Sequence, residues 1–431
     1  MTNFLNHAFI IDIMKAKSPY LEELRGSMKQ GNDGITARMN IKGEIVIEKI
    51  PTHYDANTDL QEEQRQAFKS AIEQWDALSD QEKEEWREKA SPYGLTGYQY
   101  FISQNIPHEV LYKVTIDNTG GASLSDYQIL ISINNDTGFF ADCDSKKAAI
   151  RIYDSDKTTP LSYWIEEWDT ANSNAKIWVK VPSIPAGGMT YLYISIDPSR
   201  TEDASSGEET FLFFDDFEGT DLDTDKWDIA KKGSTNAIVE LDGNGNLHLA
   251  GEQDVTSSGN VKSKTTFTNG FIIELRHKID EEHYADVSIG SGQIQDPSGG
   301  QSNWYHTFIS DGYGFFWQTP ISGSVQRDII IEKIPANEAK IDLIWKDAGD
   351  LTTLNEWHTL KYVYDSSGNL KWYHDGTLWL ETTDTDYLSN AKYLLLSQGE
   401  YSAGAGGNRY IDWVRVRKYA DPEPGISYER E

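Results

Sequence analysis

The sequence predicts a mainly β chain: a small N-terminal α+β helical unit, a central antiparallel β-sandwich and a C-terminal two-sheet jelly roll. Three observations lead there. Beyond Pro107, apolar and polar residues alternate in short runs broken by Asn, Asp and Gly, the pattern of half-buried strands. The 13 Trp and 23 Tyr against 5 Met favour β-structure over helical bundles. Helical spacing is confined to a window between Thr58 and Phe101. At roughly 100–200 residues per domain, 431 residues make two to four domains.

Each element follows in order. Ile45-Val46-Ile47 before Pro51 reads as a strand, preceded by the turn glycines Gly31, Gly34 and Gly43. Thr58 with Gln61, and Ser79 with Glu82, have capping-box spacing, in which each side chain satisfies the other residue's free backbone N–H. Phe68, Ile72 and Trp75 then mark a helix over 59–77, and Trp86 the inner face of a second from about Asp80 to Ala90. Pro92 and Gly94 end it, and Thr96 opens a short third helix carrying Tyr100 and Phe101. Val110 to Ile116, Ile129 to Ile133, Ile150-x-Ile152, Trp164 to Val181 and Tyr191 to Ser195 give the strands of a sandwich over 107–200. Ser199 to Glu209 reads as a linker. Strands then recur across 209–420, with hairpin turns at Asp365–Gly368 and His374-Asp375-Gly376, and the polar tail 421–431 is expected to fray.

Composition excludes several classes. The net charge of −30 argues against nucleic-acid binding, which needs a positive surface. Cys143 is the single cysteine, so there is no internal disulfide and no Cys-based zinc site. No stretch approaches the roughly 20 apolar residues of a membrane span. The first residues lack the basic region of a secretory signal, so synthesis and folding in a cytoplasm are expected. Between Gln61 and Ala90 acidic residues outnumber basic ones, which argues against a DNA-bending box and for a protein-docking unit.

Three resemblances cover nearly the whole chain. Arg25-Gly26-Ser27, Gln64-Arg65-x-x-Phe68, Trp75-x-x-Leu78-Ser79, Lys83-x-x-Trp86-x-x-x-Ala90 and Thr96-Gly97-Tyr98 resemble a family of small phage and archaeal-virus structural proteins. Pro160-Leu161-x-Tyr163-Trp164-Ile165-Glu166, Trp168-Asp169 and Ile177 to Pro182 resemble a domain of unknown function found in archaeal and bacterial surface proteins. Phe213 to Phe217, Leu222-Asp223-x-x-Lys226-Trp227, Gly245-Asn246-Leu247-x-Leu249, Glu356-Trp357-His358, Tyr373-x-Asp375-Gly376 and Asp412 to Val416 resemble the concanavalin A-like lectin and glucanase superfamily. That superfamily includes lectins, hydrolases and structural modules.

Its laminarinase-type hydrolases carry E-x-D-x-x-E on one strand, where period two points the first two carboxylates the same way. No such run occurs in the lectin-like region. Asp280-Glu281-Glu282 is contiguous and reads as a turn, and Glu166, Glu167 and Asp169 read as structural. The histidines show no H-E-x-x-H or H-x-x-x-H spacing. Cys143, between Asp142 and Asp144, is a poor nucleophile. No enzyme is therefore expected.

The resemblance implies a calcium site, with Asp412 as carboxylate and backbone carbonyls from Gly245 and from near Asp216; the opposing reading pairs Asp412 with Arg409 or Arg415. Trp304, Tyr305, Trp317, Trp345 and Trp372 are the rings available to stack on a glycan, set against burial of each in the core. Together these readings describe a virion protein of a prokaryotic, archaeal virus. Its N-terminal region would hold other virion proteins, its lectin-like domain would bind a host surface glycan, and the whole would form a homo-oligomer. A purely structural capsid or tail component and a laminarinase-like glycoside hydrolase stand as the alternatives.

Overall fold

The structure, a computed structural model, describes residues 26–30, 33–39, 45–49, 59–105, 110–252, 257–268, 270–280, 285–291, 309–318, 328–336, 340–347, 354–400 and 407–431. The chain divides into two compact units, Met1–Ile106 and Pro107–Glu431.

In the first unit, strands β1 (Gly26–Gln30), β2 (Asp33–Met39) and β3 (Ile45–Lys49) form an antiparallel meander. Helices α1 (Asp59–Ala77), α2 (Asp80–Ala90) and α3 (Gly97–Asn105) follow. The Ser79–Glu82 capping box starts α2 as its spacing requires. A second reciprocal pair, Thr96 with Gln99, starts α3: each backbone N–H donates to the other's side-chain oxygen at 3.0–3.1 Å. Phe101 is the centre of the helical core, with the Trp86 ring edge-on at 5.0 Å and Trp75 at 5.4 Å.

The second unit opens with β4 (Val110–Asn118), β5 (Leu124–Ile133), helix α4 (Thr137–Asp142), β6 (Ile150–Asp154), β7 (Tyr163–Asp169), β8 (Asn174–Ile184) and β9 (Gly188–Ile196). Residues Gly425–Arg430 return to add β25 to this sandwich, giving sheets β25-β4-β9-β6 and β5-β8-β7. The expected frayed tail is thus corrected. Ile426 and Tyr428 pack on the sandwich core, and the Tyr428 hydroxyl donates to Asp136 at 2.9 Å. The expected linker is also docked. Ser205 Oγ accepts from the Ile165 N–H, Ser206 N–H donates to the Tyr163 carbonyl, and Ser206 caps helix α5 (Gly207–Thr210).

The jelly roll comprises β10 (Phe213–Asp215), β11 (Trp227–Lys232), β12 (Ile238–Leu241), β13 (Leu247–Ala250), β14 (Ser257–Phe267), β15 (Phe271–Ile279), β16 (Ala285–Gly290) and β17 (Gly312–Gln318). It continues through β18 (Asp328–Ile334), β19 (Ile341–Asp347), β20 (His358–Tyr364), β21 (Asn369–His374), β22 (Thr377–Thr383), β23 (Lys392–Glu400) and β24 (Asn408–Lys418). One sheet runs β12-β13-β24-β15-β20-β21-β22, with β10 also on β24; the other runs β11-β14-β23-β16-β17-β18-β19. Val287, Phe315, Ile331 and Leu396 from the second sheet meet Leu275, Leu360, Trp372 and Val414 from the first in one apolar core. Because side chains alternate faces, each neighbour of a core residue on β16, β17 and β18 points to the outer face of the seven-stranded sheet.

The two sandwiches join through an aromatic cluster of Trp164, Trp178, Phe211, Phe214 and Trp413. The Arg415 guanidinium lies 4.3 Å from both the Trp178 and Trp413 rings and binds Glu166 at 2.6 Å and Glu274 at 2.7 Å. Arg417 also holds Glu274, from 3.2 Å. Burial works to raise the Glu274 carboxyl's pKa, but the two guanidiniums hold it well below the usual carboxylate range.

Candidate active site

The outer face of the seven-stranded sheet carries two carboxylates that strand register brings together. Ser288 on β16 pairs with Gly314 on β17, and Gly314 with Glu332 on β18; Asp286 pairs with Phe316, and Phe316 with Ile330. The Ser288 hydroxyl donates to Asp286 Oδ2 at 2.5 Å. A Cβ on Gly314 would lie 3.0 Å from Glu332 Oε1 and 3.2 Å from Ser288 Oγ. Those short legs place the two carboxylates no more than roughly 9 Å apart, inside the reach of a glycosidase pair. Glycine at 314 is what leaves the middle strand bare enough for Glu332 to lie across it.

Fixed groups surround the pair. Lys340 Nζ stands 2.8 Å from Glu332 Oε2. From the opposite sheet, buried Arg409 donates to the carbonyls of Asp286 and Ser397 at 2.9 and 3.0 Å, anchoring β16 and β23 beneath the site. Asp286, Ser288 and Glu332 are all buried. At the edge of the same face Trp345, in register with Ile330, is 57% exposed.

The predicted aromatic residues separate by strand parity. Trp345 reaches solvent on the outer face. Trp317 and Trp372 are corrected: 3% and 1% exposed, they face the core, where Trp317 packs on Trp379 and Trp372 on Tyr362 and Phe315. Trp304 and Tyr305 lie outside the described residues.

The residues expected to hold calcium lie as follows. Asp412 and Asp216 line one acidic groove of about 790 Å³ between the two sandwiches, with Glu166, Asp203, Glu208 and Glu218. Gly245 has φ +79°, and a Cβ there would lie 2.6 Å from Glu218 Oε1. Asp412, however, is neutralised across the strands by Arg276 at 2.5 Å, neither Arg409 nor Arg415 being its partner. The carboxylate expected to hold calcium is thus already paired with a cation.

Other singled-out residues are structural. Glu166 takes the Trp178 indole N–H and Arg415, while Glu167 pairs with Lys176. Asp280 accepts from the Asn408 backbone and side chain at 2.8 Å. Burial, then the nearby Asp142 charge, pushes the Cys143 thiol up to about 12. Two histidines escaped sequence reasoning. His358 and His374 sit on adjacent strands beside Asp375, and His374 stacks on Trp379 at 4.1 Å. Burial pushes the His374 imidazole down to about 4, with Asp375 opposing and His358 adding to the shift. Only the β20–β21 register brings them together, so no spacing motif marks them.

Residues 146–230 match a family model described as a domain of unknown function, DUF2341. The match runs from the central sandwich across α5 into β11. An uncharacterized protein of Methanocaldococcus jannaschii, MJ1472, is 34% identical over 79 residues, 17% of this chain and 14% of that protein. The chain therefore spans about a seventh of that relative's length. Among solved structures, an endo-β-1,3-glucanase from Pyrococcus furiosus aligns at TM-score 0.37 and 16% identity, over 49% of this chain and 94% of that one. The laminarinase catalytic domain of Thermotoga maritima aligns at 0.35 and 15%, over 48% and 97%. A mixed-linkage-glucan enzyme of glycoside hydrolase family 16 from Bacteroides ovatus aligns at 0.35 and 20%, over 48% and 99%. The expectation of a virion protein without catalysis is corrected: the solved structures this chain resembles are named as glycan hydrolases, and the likeness is one of fold.

Proposed function

We propose that the chain is a glycoside hydrolase whose acid–base pair is Asp286 and Glu332. The observation that carries this reading is that Glu332 and the Ser288 hydroxyl, which donates to Asp286, meet over Gly314 on a sheet face that also presents the exposed Trp345. In such a pair one carboxylic acid gives its proton to the glycosidic oxygen as the C–O bond breaks. The other carboxylate takes a proton from the water that attacks the anomeric carbon. Asp286 and Glu332 divide the acid and base roles between them, and Lys340 holds Glu332 at 2.8 Å. Trp345 offers an apolar face for a pyranose ring at the edge of the sheet.

The test is reducing-end release from β-1,3- and mixed-linkage glucans, the polymers named for the similar solved structures. Asp286→Asn and Glu332→Gln are each expected to lower kcat at least about 100-fold. Trp345→Ala is expected to raise KM with kcat kept. Undiminished turnover in both carboxylate variants, or no cleavage of any glucan by the folded wild-type chain, would overturn the assignment.

A further inference from the structure

At one end of the jelly-roll core, three side chains aim nitrogen and oxygen donors at a common point. His358 opens β20, His374 closes β21, and Asp375 occupies the turn into β22 with φ +45°, followed by Gly376 at +78°. Their donor atoms all lie within 4.8 Å of one another. His358 Nδ1 is 2.7 Å from Asp375 Oδ2, and His374 Nδ1 is 3.5 Å from the same oxygen.

The surroundings fix these donors in place. The Thr359 backbone N–H donates to Asp375 Oδ1 at 2.8 Å, which turns Oδ2 toward the imidazoles. Asp375 N–H donates to the Thr359 carbonyl at 2.9 Å, locking the turn to β20. The His374 ring lies parallel to Trp379, 5° between planes, and so cannot swing away. Behind them His277, its Nδ1 accepting from Arg409 at 3.2 Å, closes the inner side.

A separate observation concerns His374. It is 5% exposed, and its Nε2 is buried without a hydrogen-bond partner while its Nδ1 stops 3.5 Å short of Asp375. A buried imidazole ordinarily has its nitrogens satisfied. The Nδ1–Asp375 contact is long, and a metal ion between the two atoms would bridge it.

We propose that His358, His374 and Asp375 bind one first-row transition-metal ion, with zinc the best match to the donor set. Two imidazole nitrogens and one carboxylate oxygen suit zinc, whereas calcium and magnesium take oxygen ligands. Bonds of about 2.0–2.2 Å in a tetrahedron put donors roughly 3.3–3.5 Å apart, so the 2.7 Å pair has to open by less than about 1 Å. The ion ties β20 to the β21–β22 hairpin. Asp375, its side chain 49% exposed, gives the ion a route from solvent and leaves the fourth coordination position to water. This site is distinct from the Asp286–Glu332 pair, and neither proposal depends on the other.

The experiment titrates the full chain, freed of metal by chelator, with zinc chloride by calorimetry, and with cobalt chloride by visible absorption. One zinc per chain and the intense bands of tetrahedral cobalt are expected. Asp375→Asn keeps an oxygen for the Thr359 N–H, sits at a half-exposed turn, and is checked for folding by circular dichroism. It and His358→Gln are expected to weaken zinc binding at least about 100-fold, the upper end of the loss from removing even an outer partner. No zinc uptake by the wild-type chain, a cobalt spectrum of octahedral type, or wild-type affinity in folded Asp375→Asn would each overturn the site.

Discussion

Replacing Arg415 by methionine tests whether the two sandwiches are held together by a buried charge cluster. The substitution keeps most of the apolar stem and removes the guanidinium. Glu274 is then left buried with Arg417 as its cationic partner, and Glu166 with the Trp178 indole N–H. Removing one member of a buried pair typically costs about 3–5 kcal/mol, because the remaining charge stays desolvated. Loss of the guanidinium from the faces of Trp178 and Trp413 adds about 0.5–2 kcal/mol for each ring, offset in part by the apolar replacement. The expected destabilisation is about 4 kcal/mol at pH 7. The assay is urea unfolding followed by fluorescence, to which the interface residues Trp164, Trp178 and Trp413 report. The effect has a pH signature. The folded-state pKa of Glu274 lies below its unfolded value, so its contribution is complete above about pH 4.3 and fades by about 1.4 kcal/mol per pH unit below that. The stability difference between wild type and Glu274→Gln should shrink accordingly at pH 3. A loss under about 1 kcal/mol for Arg415→Met, or a Glu274→Gln difference that does not change with pH, would refute the reasoning.

Two further outcomes follow from the same structure. Deleting residues 422–431 removes β25 from its ladder with β4 and takes Ile426 and Tyr428 off the sandwich core, so urea unfolding should show a loss of about 3 kcal/mol. Wild-type stability after the deletion would mean that the strand contributes nothing. Adding calcium chloride should leave the melting temperature unchanged, because Arg276 already neutralises Asp412; a rise that is lost in Asp412→Ala would restore the calcium site.

What the sequence reveals depends on the range of the interaction that forms each feature. The helices of the first unit are written locally: Ser79 and Glu82 lie three residues apart, and the structure uses both. The Asp365–Gly368 and His374–Gly376 turns are equally local, and both join paired strands. Strand β25 is the opposite case. Gly425–Arg430 is polar and follows a proline, yet it is ordered by backbone pairing to residues more than three hundred positions earlier. Composition carries no record of such pairing.

The proposed carboxylate pair extends the point. A search for E-x-D-x-x-E assumes that one strand supplies every carboxylate, because along a strand only period two is visible. Asp286 and Glu332 come from strands separated by a third, and their approach depends on the register Ser288–Gly314–Glu332 and on a glycine at its centre. Parity sorts the aromatic residues by the same logic. Trp317 shares the core face with Phe315, whereas Trp345 follows the core-packed Ile344 and so turns outward. Once the register is fixed, face assignment is arithmetic. Before that, a tryptophan in a strand is as consistent with the core as with a sugar platform, and an isolated aspartate as consistent with a turn as with a proton donor. The functional content of this half of the chain therefore resides in which strands are neighbours.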